Sequence, residues 1–277
     1  MNVNRNYKDS VFTALFNDPD LLRELYCALG NVSLPKDIPV SINTLKNVLY
    51  MDLYNDISFE IGGKLVVLIE HQSTINPNIA LRFLLYISRV LEKIIKSKTM
   101  YSTRKIEIPR PEFYVLYNGQ KPFPDNMVFK LSDLFKKSDI LPEDSFPMLD
   151  LEVKVININE GRNTEILNRC KKLSEYSKFM GKVNSYKGES KNLEEAAEKA
   201  IKFCEKYDIL REFLEIHGSE VLNMLLEEWN MDDALAVARE EAWEECREEE
   251  RSHFIKLLEQ GLTVEEIKER LAKTTDN

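Results

Sequence analysis

Apolar residues at Val11, Leu15, Leu22, Leu25 and Leu29 recur close to every 3.6 positions, so the stretch from Tyr7 to Leu29 is predicted helical, with Gly30-Asn31 as its stop. Asn17-Asp18-Pro19 interrupts that period; Asp18 is a cap and Pro19 a first helical residue, which predicts two helical pieces. After a loop containing Pro35 and Pro39 the pattern turns to strands. Val48 to Leu53 is a short candidate. Asp56-Ile57-Ser58-Phe59-Glu60-Ile61 alternates, placing Asp56, Ser58 and Glu60 on one face and three apolar residues on the other. Gly62-Gly63 is a hairpin signal. Leu65 to Ile69 is apolar at every position, as suits a strand covered on both faces of a sheet.

A helix capped by Asn76, with Pro77 at its first position, carries a broad apolar face of Ile79, Phe83, Leu84, Ile87, Leu91, Ile94 and Ile95. Glu112 to Tyr117 is predicted as a strand stopped by Asn118-Gly119, and Leu151, Val153, Val155 and Ile158 mark another. Helix signals dominate from Thr164, with a polar break around Gly181–Asn192. From 191 only helices are expected, the longest over 234–260, with an imperfect stripe of Leu235, Ala238, Ala242, Cys246, Phe254 and Leu258. The order helix, three strands, helix, strands predicts an α/β domain over 1–190 and an all-helical region over 191–277.

Charge sharpens that division. The whole chain of 277 residues carries a net −9, yet residues 191–277 hold 24 acidic and 12 basic residues while 1–190 are slightly basic. The first part can therefore approach a phosphate backbone, and the second is repelled by one. Four cysteines lie far apart with no C-x-x-C spacing, which argues against a thiolate zinc site and for reduced thiols in a cytoplasmic protein. No apolar run approaches the ~20 residues of a membrane span, so no membrane partner is expected.

The chemistry concentrates where two strands meet. Pairing them through Gly62-Gly63 lays Asp56 beside the Glu70-His71-Gln72 end, and alternation puts Glu70 and Gln72 on one face and His71 on the other. A carboxylate at the end of an apolar strand, next to a second carboxylate, is costly unless a cation neutralises both. A divalent metal resolves the conflict and can activate water against a phosphodiester. For Asp56 taken alone a turn or strand-end acid is the better account; His71 reads as structural, Glu60 and Asp52 as solvated, and Asp9 as a cap or an additional acid. On the following helix Arg82, Tyr86, Arg89, Lys93 and Lys96 fall on one face, predicted opposite the apolar one, where they could meet phosphates or simply water.

This arrangement, with an acid opening the second strand and E-x-Q closing the third, resembles the PD-(D/E)xK nuclease superfamily. Within it, Asn55-Asp56-Ile57-Ser58-Phe59, Leu68-Ile69-Glu70-His71-Gln72-Ser73, Leu81-Arg82-Phe83-Leu84-Leu85-Tyr86, Tyr7 to Phe12 and Phe113 to Gly119 resemble the recombination-promoting nuclease (Rpn) family, also described as YhgA-like putative transposases. The resemblance covers roughly 5–180. It implies a restriction-endonuclease-like core and a Mg²⁺-dependent (or Mn²⁺-dependent) DNA endonuclease that promotes recombination or mobile-element movement. Asp56 and Glu70 would be metal ligands and catalytic, with Gln72 in the place of the superfamily lysine. Glutamine orients by hydrogen bonds and brings no charge, so a catalytically inactive nuclease fold that binds DNA or protein is the rival expectation. The glutamate-rich stretch from Arg239 to Arg251 is either a solvated helix or a contact between two copies in a homodimer.

Overall fold

In the computed structural model, which describes residues 10–42, 56–72, 74–95, 103–136, 146–190 and 192–259, the chain opens with the two helical pieces that the sequence predicts. Ser10 caps α1 (Val11–Phe16) by accepting the Thr13 N–H at 3.2 Å, and Val11, Phe12, Leu15 and Phe16 are buried. Asp18 caps α2 (Pro19–Gly30), accepting from the Asp20 and Leu21 N–H groups. Asn31 ends α2 in the left-handed region at φ 51°, a conformation that asparagine tolerates because its short polar side chain bonds locally. Its N–H returns to the Cys27 carbonyl.

Six strands follow in one mixed sheet: β1 (Val40–Ile42), β2 (Asp56–Ile61), β3 (Lys64–Gln72), β4 (Arg110–Tyr117), β5 (Asn126–Lys130) and β6 (Glu152–Asn157). Their spatial order is β1-β2-β3-β4-β6-β5. β1, β2 and β3 are antiparallel neighbours, β3-β4-β6 run parallel, and β5 returns antiparallel to β6. Gly62 and Gly63 both take positive φ (56° and 75°), the backbone of a two-residue turn that matches strand twist and that L side chains adopt only with strain. The expected strand at Val48–Leu53 lies outside the described residues. β1 falls in a stretch read as loop from its prolines, and β5 is a further strand beyond those expected.

Helix α3 (Ile79–Ile94) joins β3 to its parallel neighbour β4, the crossover that parallel pairing requires. It starts two residues later than Asn76-Pro77 suggests, because the Asn76 carboxamide accepts the Asn78 N–H in a local turn ahead of the helix. Ile79, Ala80, Phe83, Tyr86, Ile87 and Val90 of α3 form one core layer with Phe113, Val115, Tyr117, Val153 and Val155 of the sheet. On the other sheet face Tyr26 of α2 meets Phe59 edge-on at 6.5 Å, and its hydroxyl donates to Glu112. Both faces of the central strands are thus covered.

Four helices complete the described chain: α4 (Thr164–Arg169), α5 (Lys171–Glu189), α6 (Leu193–Lys206) and α7 (Arg211–Glu259). Within the stretch Gly181–Asn192, read as a polar break, α5 continues through Gly181 to Glu189, and Asn192 caps the start of α6. The chain divides into two compact units, Met1–Leu225 and Leu226–Asn277. Within the second unit, Val237, Trp243 and Ile255 are exposed on α7 and Leu257 is buried.

Candidate functional site

A regular hairpin built from the Gly62-Gly63 turn pairs Ile61 with Lys64 and continues in step to Ser58 opposite Val67. Continued without interruption it would set Asp56 opposite Ile69 and put Glu70 on the other face of the sheet. The register does not continue that way. Between Ile57 and Ser58 it slips by one residue, so that Ile57 pairs with Ile69 and Asp56 pairs directly with Glu70. The surplus residue is Leu68. The same slip separates Val67–Phe113 from Ile69–Tyr114 on the β4 side. This is a β-bulge, and because side chains alternate, one extra residue exchanges the faces of everything beyond it.

The bulge brings the two predicted acidic positions together. Asp56 and Glu70 are cross-strand partners, a relation that places Cα atoms about 4.5–5.5 Å apart in antiparallel pairs. Glu70 is also opposite Val115, and Gln72 is opposite Tyr117. Val115 and Tyr117 belong to the layer covered by α3, so Asp56, Glu70 and Gln72 occupy the sheet face on which that helix packs. His71 is opposite Leu116 and belongs to the other face, as alternation predicts.

One residue of this face was not singled out by its sequence. Ser58 is two positions from Asp56 on β2 and fully buried, and its Oγ has no hydrogen-bond partner among the described residues. The alternating pattern does place it with Asp56 and Glu60, but a polar residue in such a pattern normally signals a solvated face. Here that face is covered: Ser58 pairs with Val67, Val67 with Phe113, and the Phe113 ring stacks on Phe83 of α3 at 5.1 Å.

The basic stripe on α3 needs correction. Tyr86 is only 3% exposed and belongs to the core layer, so it is not on an open face with the cations. Arg82 and Arg89 are half-buried and flank the buried face, and the exposed face carries Leu81, Leu85, Ser88 and Glu92. The physical reason is that Tyr86 sits only about 40° around the helix from Arg82, towards the apolar arc, at ~100° per residue. A tyrosine ring gains more from burial than from water. Lys93 lies on the helix by its backbone, and Lys96 is outside the described residues.

Other chemistries find little support. Burial pushes the thiols of Cys170 and Cys204 up to about 12, so both stay protonated and poor as nucleophiles or metal ligands. Among the described residues no group of three or more His, Cys, Asp or Glu could hold a metal ion. A cavity of about 400 Å³ between the end of α2 and α4 is lined by Asn31, Asp125, Asn163, Glu165 and Arg169 and contains none of the predicted site residues. Its Asn163 side chain is spent on the Asp125 and Asn157 carbonyls and on Asn126.

A family model described as "Putative transposase, YhgA-like" matches residues 9–199. The chain belongs to this family. The matched span runs from before α1 into α6 and includes the β2–β3 hairpin, the bulge and α3. For the YhgA-like family this places Asp56, Glu70, Gln72 and Ser58 within the shared region. No curated protein and no solved structure matches the chain. No helix among the described residues is long and apolar enough to cross a membrane.

Proposed function

We propose that this protein is a divalent-metal-dependent DNA endonuclease on a PD-(D/E)xK-type core, with Asp56 and Glu70 as metal ligands and Gln72 beside them. The observation that carries this reading is the direct pairing of Asp56 with Glu70 across the bulge, with Gln72 two positions on along the same face. Two carboxylates form a hard oxygen donor set, which suits Mg²⁺ or Mn²⁺ and is poor for softer metals. Bound there, the ion would lower the pKa of a water and offset charge building on the phosphate. Asp56 and Glu70 fix the ion between two strands whose positions are set by backbone pairing on both sides. Gln72 orients the attacking water or a phosphate oxygen by hydrogen bonds, without the charge of a lysine. Losing one such charged stabiliser costs about 10²–10³ in rate, so slow turnover is expected.

Arg82 and Arg89, on the flank of the helix that follows the site, contact the DNA backbone and position it without reading sequence. The family description, a putative transposase, agrees with action on DNA during mobile-element movement. Nothing among these residues speaks for strand transfer over simple hydrolysis.

Incubation of the protein with supercoiled plasmid and Mg²⁺ or Mn²⁺ tests the reading. Cleavage that disappears in Asp56→Ala and in Glu70→Ala supports it. DNA binding of equal strength in wild type and both variants, with no cutting under either ion, would instead establish the rival, a nuclease fold kept for binding. Arg82→Ala with Arg89→Ala should weaken DNA binding and flatten its salt dependence, the slope falling by about one for each phosphate that is no longer neutralised.

A further inference from the structure

Ser58 poses a problem that the fold does not solve. Its hydroxyl is fully buried on the sheet face that carries Phe113 and packs against Phe83 of α3, and nothing among the described residues bonds to it. A buried donor without an acceptor destabilises a fold, and alanine would fill nearly the same volume without that cost. The position is also special. Ser58 is the last residue of the regular hairpin ladder, immediately before the slip that carries Asp56 and Glu70 into register. A bulge locally loosens the ladder and re-aims the side chains next to it. Ser58 therefore stands one pleat from the carboxylate pair, on the same face, where the backbone is least constrained.

We infer that Ser58 is a positioning residue of the metal site: with a divalent ion held by Asp56 and Glu70, its hydroxyl donates to a carboxylate oxygen of that pair and fixes the ligand's orientation. The inference rests on the proposed metal site and deepens it. Ligating carboxylates are held by partners of this kind, whose loss typically weakens metal affinity 10–100-fold. The hydroxyl is suited to the role because it is one strong donor in an apolar layer, where no water competes for it. The proposal also accounts for the orphan: the cost is borne by the metal-free fold and relieved when the site is filled. Stability exchanged for function in this way is common at ligand sites.

The two halves of the claim move in opposite directions on substitution, which separates it from a structural role. Ser58→Ala should raise the melting temperature of the metal-free protein by about 2–4 °C, since it removes an unmet donor. It should also weaken Mn²⁺ binding, measured by titration calorimetry without DNA, by tenfold or more. Ser58→Thr retains the hydroxyl and should keep Mn²⁺ affinity closer to wild type than Ser58→Ala does, whatever its melting temperature. Equal Mn²⁺ affinity in wild type and Ser58→Ala, with binding lost in Asp56→Ala, would overturn the role of Ser58 and leave the metal site standing. A wild-type protein that binds neither Mn²⁺ nor Mg²⁺ would overturn the metal site and this inference together.

Discussion

Replacing Tyr114 with phenylalanine should make the protein less stable at neutral pH and more stable in strong alkali. Tyr114 is 2% exposed on β4 and donates to Glu112 at 3.0 Å; Tyr26 donates to the same carboxylate oxygen at 3.3 Å. The substitution leaves the ring in place, so no cavity forms, and Glu112 keeps the Tyr26 bond. The variant lacks one hydrogen bond to a charged acceptor, worth about 1.5 kcal/mol at the lower end of its range. Alkali adds a second effect. Burial, and then the neighbouring Glu112 charge, push the Tyr114 pKa well above its ordinary 10.0. A raised pKa means that the folded chain holds this proton more tightly than the unfolded chain does. The stabilisation is therefore complete below pH 10 and is lost as pH rises from there towards the folded value. Each pH unit in that window removes about 1.4 kcal/mol from wild type and nothing from the phenylalanine variant. The two stability curves should cross near pH ~11. Urea midpoints for both proteins between pH 8 and 11.5 would show the crossing. A constant difference across that range would refute the argument, because it would mean that the phenol ionises as easily folded as unfolded.

Three further expectations follow from other parts of the molecule. Cys246 is exposed and Cys27 half-buried, while Cys170 and Cys204 are buried with raised pKa, so a thiol reagent at pH 8 should label Cys246 fastest, Cys27 more slowly and the other two only on unfolding; four fast thiols would contradict the packing. Deleting Leu68 removes the surplus residue and regularises both ladders with Asp56 still opposite Glu70, so the folded variant should retain Mn²⁺-induced stabilisation, and its absence would show that the bulge does more than set register. Gln72→Lys should cleave plasmid at least as fast as wild type, and a complete loss would show that the amide forms a bond lysine cannot replace.

Much of this layout can be read from the residues themselves. Asp18-Pro19 and Gly30-Asn31 bracket α2 because caps and stops act within a single turn. Gly62-Gly63 marks the hairpin because the positive φ that it needs is nearly a glycine monopoly. The bulge left no such trace. Leu65 to Ile69 is apolar at every position, and a strand covered on both faces is insensitive to a one-residue slip, so the pattern cannot say which face Glu70 takes. The proximity of Asp56 and Glu70 was readable, but the device that puts them on one face was not. β1 and β5 escaped for a different reason. They are short edge strands with exposed or half-exposed residues, and carry no alternation to detect. Tyr86 was misplaced because a tyrosine beside arginines scores as polar while its ring packs as an apolar group.

The hairpin from Asp56 to Gln72 also bears on how the site comes into being. Its turn is two residues long, so its antiparallel pairings close over short sequence separations, whereas β3 and β4 must wait for the intervening helix before their parallel pairing can form. Both acids are therefore delivered by one contiguous stretch whose closure needs little loop entropy. Short loop closure predicts that the rest of the sheet condenses on this hairpin after it has formed. Slowing the later crossover, for instance with a glycine in mid-α3, should delay burial of Tyr117 without altering which residues face each other across the turn.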